Sequence, residues 1–206
     1  MLHIVQDGTQ GAPDPVLRAM FAARKAVFVD LLGWDVPVID GRFELDQFDD
    51  EHAQYLVLAD RDGGHLGSAR LLPTTRPHIL DSLYPELCED GPPRGPGIFE
   101  VTRFCLDRSL SARARRSVRD TLVTAIADHG VANGITCYSA IAEMGWLQQI
   151  LAFGWRCRPL GLPRTISGRM LGAVAIDVDA ATPHLLADAG IVALPGLVDA
   201  TERVAA

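Results

Sequence analysis

Lysine is almost missing from this sequence. Lys25 stands alone among 19 basic residues, a skew that reads as genomic composition bias and carries no functional information. Other scarcities exclude more. The four cysteines, Cys88, Cys105, Cys137 and Cys157, lie far apart, with no C-x-x-C pair and no His/Cys cluster. Neither a disulfide framework nor a metal site is expected, and the cysteines read as reduced small hydrophobes. No apolar run is long enough to span a membrane. Met1 to Asp7 lacks the basic stretch and apolar core of a signal peptide, so a cytoplasmic location is expected. Positive charge is in deficit, with a formal net charge of −7, which argues against nucleic acid as the main partner. Internal repeats and low-complexity segments are also missing. What remains is a chain of 206 residues, 48% hydrophobic and 22% charged. That is the profile of one soluble globular domain, 1–206, with a substantial core.

The stretch Ile98 to Leu106 organises the rest. Phe99, Val101, Phe104, Cys105 and Leu106 read as a buried strand, bounded by Pro96-Gly97 and by Asp107-Arg108-Ser109. Glu100 and Arg103 sit inside this apolar run. Burying charge is costly unless it is paired or used, so the two are a structural ion pair or part of a site. Side chains alternate faces along a regular strand. Glu100 and Arg103 therefore share a pocket only if a bulge breaks the alternation or the pocket wraps the strand end.

In chain order, Leu2 to Val5 predicts a strand, and Pro13 and Pro15 open a helix. From Val16 to Leu32 the spacing of Leu17, Met20, Phe21, Arg24, Phe28 and Leu31 puts all six on one face. Arg24 is then either a snorkelling arginine or a guanidinium at a pocket edge beside Phe28. Gly33 ends this helix. Trp34 to His52 shows no periodicity and reads as a long functional loop. It interleaves Glu44, Asp46, Asp49, Asp50 and Glu51 with Phe43, Leu45 and Phe48, which reads either as a solvated acidic turn or as a loop folding over a cationic ligand; its spacing does not fit an EF-hand. Gln54 to Ala59 and His65 to Leu72 form a hairpin around Asp62-Gly63-Gly64, with Arg70 on a mostly apolar strand. Residues 73–97 are a long connection with a helical turn at Ile79 to Leu83. Ser111 caps a helix running to about Ala132, with Val118, Leu122, Ala125 and Ile126 inward. Arg113, Arg115, Arg116 and Arg119 crowd its first turns against the helix dipole, which is either a solvated basic face or, the favoured reading, a site for a phosphate-bearing or acidic partner. A strand at Ile135 to Ile141, a helix at Glu143 to Phe153 with Met144, Leu147, Ile150 and Leu151 inward, a strand run at Ser167 to Val178 broken by Gly168 and Gly172, a helix at Thr182 to Ala189 and an irregular tail complete the chain. The order predicts a mixed α/β sandwich, its sheet antiparallel in the first half.

This order is similar to the acetyltransferase (GNAT) fold, a three-layer α-β-α sandwich with a mixed, largely antiparallel sheet. The motifs are narrower. Arg24 with Val27-Phe28, Leu32-Gly33-Trp34, Glu44-x-Asp46-x-x-Asp49, Gly67-Ser-x-Arg70-Leu-Leu-Pro-Thr74 and Glu100-x-Thr-Arg103-Phe resemble, in order and spacing, the N-acyl-homoserine-lactone synthases (LuxI-type autoinducer synthases). The match covers roughly the N-terminal half; beyond it only the strand–helix–Gly-Trp pattern agrees. The family's charged and aromatic positions fall on Arg24, Phe28, Trp34, Asp46, Asp49, Arg70, Glu100 and Arg103.

The resemblance implies an enzyme that acylates the amine of S-adenosylmethionine from an acyl thioester, carried on acyl carrier protein or coenzyme A. It then closes a lactone and releases methylthioadenosine, and the product is a quorum-sensing signal. Both molecules are substrates, and no cofactor is implied. Glu100 would take the amine proton, directly or through one water, and backbone N–H groups would stabilise the oxyanion. The three arginines would hold the substrate carboxylate or fix the acids. Asp46 and Asp49 would face the cationic charges, with Trp34 and Phe28 against the cation or adenine. Thr102, Phe104, Ala140, Met144, Trp146 and Leu147 are candidates to line an acyl pocket, each also accountable as core. In the family a hydroxyl near Ala140 accompanies 3-oxo chains; alanine points to a non-3-oxo acyl group. The arginines at 113–119 would serve the carrier protein or the phosphates of coenzyme A. Two other readings stay open: a general acyl-CoA N-acyltransferase, which leaves the Trp34 to Asp49 segment unexplained, and a binding module without turnover.

Overall fold

A computed structural model of the chain describes residues 1–6 and 15–195 and the strand at 201–204. Strand β1 is Leu2–Gln6. Helix α1, Pro15–Arg24, opens on a proline, whose missing N–H is unneeded in the first turn; Pro13 lies outside the described residues. Leu17, Met20, Phe21 and Arg24 are buried as the spacing predicts. The chain then widens into a π-helical turn, Lys25–Val29. This resets the 3.6-residue register. Phe28 stays buried, but Leu31, expected on the same face, is 53% exposed. Gly33, at φ 64°, ends the turn.

The segment expected to be a structureless loop instead contains a small hairpin, β2 Val38–Ile39 and β3 Phe43–Glu44. Asp40 and Gly41 turn it with φ of 52° and 64°, a conformation Asp and Gly tolerate well. β4 (Gln54–Ala59) and β5 (His65–Pro73) follow as an antiparallel pair. Then come α2 (Ile79–Leu83), a 3₁₀ turn at Pro85–Leu87, β6 (Ile98–Leu106) and α3 (Ala112–Ala132). The Ser111 hydroxyl accepts the Ala114 N–H at 3.3 Å and caps α3.

β7 is Cys137–Glu143, two residues later than expected. Ile135 is still tied by its N–H to Gly130 and Thr136 to Gly97, so the ladder starts only afterwards. In α4 (Met144–Leu151) Leu147 and Ile150 are buried and Met144 is half-buried, but Leu151, expected inward, is 39% exposed. The last strand run is shorter than expected: Ser167 and Gly168 adopt φ of 49° and 78° and turn the chain between β9 (Arg164–Ile166) and β10 (Arg169–Asp177). The sequence also gave no sign of the short β8 (Cys157–Pro159). Gly172 does not break β10; a Cβ there would meet Leu147 Cδ2 at 2.7 Å, so glycine lets α4 approach the strand. α5 is Thr182–Asp188. In the expected tail, β11 (Thr201–Val204) pairs in parallel with β1.

The chain forms two compact units. The first comprises Met1–Leu71, Arg103–Ala125 and Ala193–Ala206, the second Leu72–Thr102 and Ile126–Val192. In the first, β11, β1, β4 and β5 are neighbours in that order. Phe21 of α1 meets Tyr55 of β4 edge to face at 5.8 Å on one side. On the other side Gly67 faces α3, where a Cβ would strike Val118 Cγ1 at 2.9 Å, which accounts for the glycine of the Gly67-Ser-x-Arg70 motif. In the second unit β6, β7, β10 and β8 are neighbours, β6–β7 parallel and the others antiparallel. Leu80, Leu87 and Cys88 cover the face that holds Ile141, Leu171 and Ala173. The end of α3 covers the opposite face, where the Tyr138 hydroxyl donates to the Ile126 carbonyl at 3.0 Å. The fold is α/β with a mixed, mostly antiparallel sheet.

Candidate active site

Three arginines and three acids of the first unit meet in one buried network. Arg24 is fully buried, not snorkelling. Its Nε donates to Glu44 at 2.5 Å and its two terminal nitrogens grip Asp49 at 2.8 Å each. Arg70, also fully buried, holds Asp46 through two bonds of 2.6 and 3.0 Å and contacts Asp49 at 2.8 Å. Arg103 bonds Glu44 at 3.0 and 3.1 Å and Asp46 at 2.6 Å. Three positive and three negative charges thus cancel, and the fork geometry of arginine lets each guanidinium hold one carboxylate through two bonds and a second through one.

The short β2–β3 hairpin delivers Glu44, and the turn after it delivers Asp46 and Asp49. Tyr55, the register partner of Arg70, donates its hydroxyl to Asp49 at 2.9 Å. Burial works against ionised Asp49, but Arg24 and Arg70 outweigh it and hold the carboxyl well below its ordinary range. Burial likewise opposes the Arg24 charge, yet Asp49 and then Glu44 raise its pKa above the usual arginine value. Burial and then Asp49 push the Tyr55 phenol up.

An aromatic pair adjoins this network. Phe28 and Trp34 stack at 4.6 Å with an interplanar angle of 20°. The Arg103 guanidinium lies 5.6 Å from the first ring and 5.8 Å from the second. Arg103 reaches them because its own backbone is irregular, at φ 50°, a costly conformation for a residue with a Cβ. The burial pattern of β6 registers the break. Glu100 and Thr102 are buried before it and Cys105 after it, so the alternation skips a step at residue 103.

In the second unit Glu100 is fully buried and its Oε2 accepts the Leu80 N–H at 3.2 Å. Its register partner across the parallel pair is Ser139, and the paired register ends one residue later at Val101–Ala140. Of the acyl-pocket candidates, Thr102, Ala140, Met144, Trp146 and Leu147 lie in this unit and Phe104 in the first. They do not share a face. Ala140 is in register with Val101 and Val174, opposite in pleat to Glu100 and Thr102. Leu147 packs at Gly172 on the Ala140 side. Trp146 meets Phe153 edge to face at 5.8 Å.

A family comparison decides the class. Residues 13–186 match the Autoinducer synthase family. The chain belongs to the autoinducer synthase family. The acyl-homoserine-lactone synthase of Ralstonia nicotianae is 35% identical over 190 residues, covering 89% of this chain and 93% of that one. The isovaleryl-homoserine lactone synthase of Bradyrhizobium diazoefficiens is 30% identical, covering 96% and 88%. Among solved structures, the coenzyme A-dependent synthase BjaI with methylthioadenosine superposes with a TM-score of 0.85 at 29% identity, covering 100% of this chain and 95% of that one. LasI superposes with a TM-score of 0.78 at 26% identity, covering 90% and 93%. An N-acetyltransferase from Lactobacillus plantarum, 18% identical with a TM-score of 0.60, shares the fold.

For this autoinducer synthase the structure brings Arg24, Asp46, Asp49, Arg70 and Arg103 into one network, with Phe28 and Trp34 beside it. Asp46 and Asp49, expected to face a cationic ligand, are held by arginines, as in the reading in which the arginines fix the acids. Glu44 and Tyr55 belong to the same network and were not picked out as site residues. Glu44 headed the Glu44-x-Asp46-x-x-Asp49 motif but was given no role of its own, and Tyr55 looked like strand core. Along α3, Arg113 and Arg116 are exposed, Arg115 donates to the Arg108 carbonyl at 2.9 Å, and Arg119 pairs with Asp120 at 2.6 Å.

Proposed function

We propose that this autoinducer synthase joins S-adenosylmethionine to an acyl thioester with Glu100 as the general base. The ammonium of S-adenosylmethionine gives a proton to Glu100, directly or through one water. The freed amine attacks the thioester carbonyl, a C–N bond forms, and the C–S bond breaks to release the carrier thiol. The methionine carboxylate then displaces methylthioadenosine intramolecularly, forming the lactone C–O bond as the sulfonium C–S bond breaks. That second step is largely a matter of positioning. The observation that carries this reading is a fully buried glutamate, at the motif position, next to the point where the β6–β7 register ends. In this reading backbone N–H groups stabilise the oxyanion.

In the first unit the fully buried Arg24 and Arg70 act as a frame. The Arg103 side chain, at 9% exposure, is more accessible than either. With Trp34 and Phe28 it forms the surface on which we place the cationic substrate. Coenzyme A is the favoured carrier, because the related structures include BjaI with S-adenosylmethionine and isopentyl-CoA and the CoA-dependent MesI. Arg113, Arg115 and Arg116 are then the groups for its phosphates. Ala140 offers no hydroxyl, so the acyl group carries no 3-oxo substituent; faster turnover with 3-oxo donors than with unsubstituted ones would refute that.

The test is methylthioadenosine release by purified protein given S-adenosylmethionine and acyl thioesters on both carriers. Release should require a thioester and fall by about 10²-fold or more in Glu100→Gln. Equal release by Glu100→Gln would remove Glu100 from the chemistry. Binding of S-adenosylmethionine with no release from any donor would favour a binding module.

A further inference from the structure

The second unit holds a hydroxyl that its own packing does not use. Ser139 is fully buried, and its Oγ has no hydrogen-bond partner. A buried hydroxyl without a partner is destabilising and uncommon. Its neighbours along β7 are Ala140, Ile141 and Ala142, and an alanine at 139 would fill the strand without that cost.

Register identifies what the hydroxyl is for. Ser139 is the in-register partner of Glu100 in the parallel β6–β7 pair. In-register residues of neighbouring strands project to the same face, with strands about 4.8 Å apart, so the two side chains are immediate neighbours. On its other side Ser139 is in register with Ala175, which has no polar atom to offer. The same face of β7 and β10, at Ile141 and Ala173, is covered by Leu80, Leu87 and Cys88. From that cover comes the Leu80 N–H that holds Glu100 Oε2. The titratable groups of the cover are His78, Asp81, Cys88 and Tyr84, the last packed against Leu80, Leu87 and Cys88. His78 meets the Arg76 carbonyl and Asp81 through Nδ1. Asp81 also pairs with Arg94. The Cys88 thiol is pushed up to about 11 by burial and then by Glu100. On β7 itself Cys137 lies two residues before Ser139 on the same face. The Ser139 hydroxyl is the group in register with Glu100 that can rotate a proton toward it.

We propose that Ser139 is a positioning residue for Glu100: its hydroxyl donates to the carboxylate, directly or through one water, and keeps it aimed and ionised as it takes the amine proton. The proposal rests on the reading of Glu100 as the base. It explains why a partnerless hydroxyl is kept in an apolar strand, since it trades stability for the reacting geometry.

The experiment compares Ser139→Ala, Ser139→Thr and Glu100→Gln with the wild type in methylthioadenosine release, as a function of pH and of each substrate. Ser139→Ala should lower kcat about tenfold, the effect of losing one hydrogen bond to a charged group. It should leave KM for both substrates in place and move the acidic limb of the pH–rate profile to higher pH. Its Tm without substrate should equal or exceed that of the wild type, because the Ser139 Oγ has no hydrogen-bond partner within the protein. Ser139→Thr, which keeps the hydroxyl, should restore most of the rate. Ser139→Cys, close in volume with a weaker donor, should repeat the alanine pattern and serves if alanine disturbs folding. A Ser139→Ala enzyme with wild-type kcat and pH profile overturns the proposal, as does a change confined to KM for the thioester. Full activity in Glu100→Gln refutes the base itself, whatever Ser139 does.

Discussion

The two units bury charge in opposite ways. The first matches every guanidinium of its network with carboxylates, six charged groups that leave no net charge. The second buries Glu100 against a backbone N–H and beside a hydroxyl that has no partner. A network satisfied in this way is rigid, and removing any member strands the rest. The contrast separates a network whose charges are all matched from a single carboxylate, the proposed base.

The comparison is broken most severely by removing Arg24. Arg24→Met takes from the buried Glu44 and Asp49 one of the two arginines that each holds and should cost about 3–5 kcal/mol, read as a fall in denaturation midpoint. Glu100→Gln should leave that midpoint nearly in place while abolishing most turnover. Equal destabilisation by both variants would erase the distinction between the regions.

Acid should expose the same asymmetry. In the first unit His65 is buried next to Ser68, and burial depresses its pKa to about 4, with Asp107 opposing. Unfolded His65 takes a proton below about pH 6.5, whereas the folded side chain resists until about pH 4. Its contribution is therefore intact above pH 6.5 and is lost as pH falls from there toward 4, at up to about 1.4 kcal/mol per pH unit. Asp49 adds a second loss at lower pH. Its folded pKa is depressed, so its contribution is present above the ordinary carboxylate range and disappears below it. A stability–pH curve should decline in that order, and His65→Gln should flatten the limb between pH 6.5 and 4.

Smaller changes sharpen the contrast. Tyr55→Phe removes one hydroxyl from Asp49 and should cost about 1 kcal/mol, with turnover per folded molecule little altered. Arg115→Ala/Arg116→Ala, at the start of α3, should leave stability within about 0.5 kcal/mol. It should raise KM for acyl-CoA several-fold, the loss shrinking as salt is added. A KM that ignores both the substitution and the salt would remove these arginines from carrier binding.

Much of this was legible one residue at a time. Arg24, Arg70, Glu100 and Arg103 stood out because charge in an apolar run is costly and needs a reason. The spacing placed β4, β5, β6 and α3 within a residue or two, while the single helix expected to Leu32 ends as α1 at Arg24 and continues only as a π-turn to Val29. Ser139 went unnoticed, although a serine in an apolar strand is the same kind of signal in weaker form. Leu31 and Leu151 were misplaced because helical periodicity carries no notice of a π-turn or of where a helix ends.

The sequence by itself determined the family, the class of fold and which residues are out of place in their surroundings, since local spacing and the cost of buried charge are written along the chain. Tertiary structure alone decided the pairings. Glu44 joins Arg24 and Arg103 across 20 and 59 residues, and the positive φ of Arg103 shifts β6 out of alternation. Ser139 comes to face Glu100 only through strand register. Such contacts arise from the closure of distant segments, and a linear pattern holds no measure of which partner each buried charge will meet.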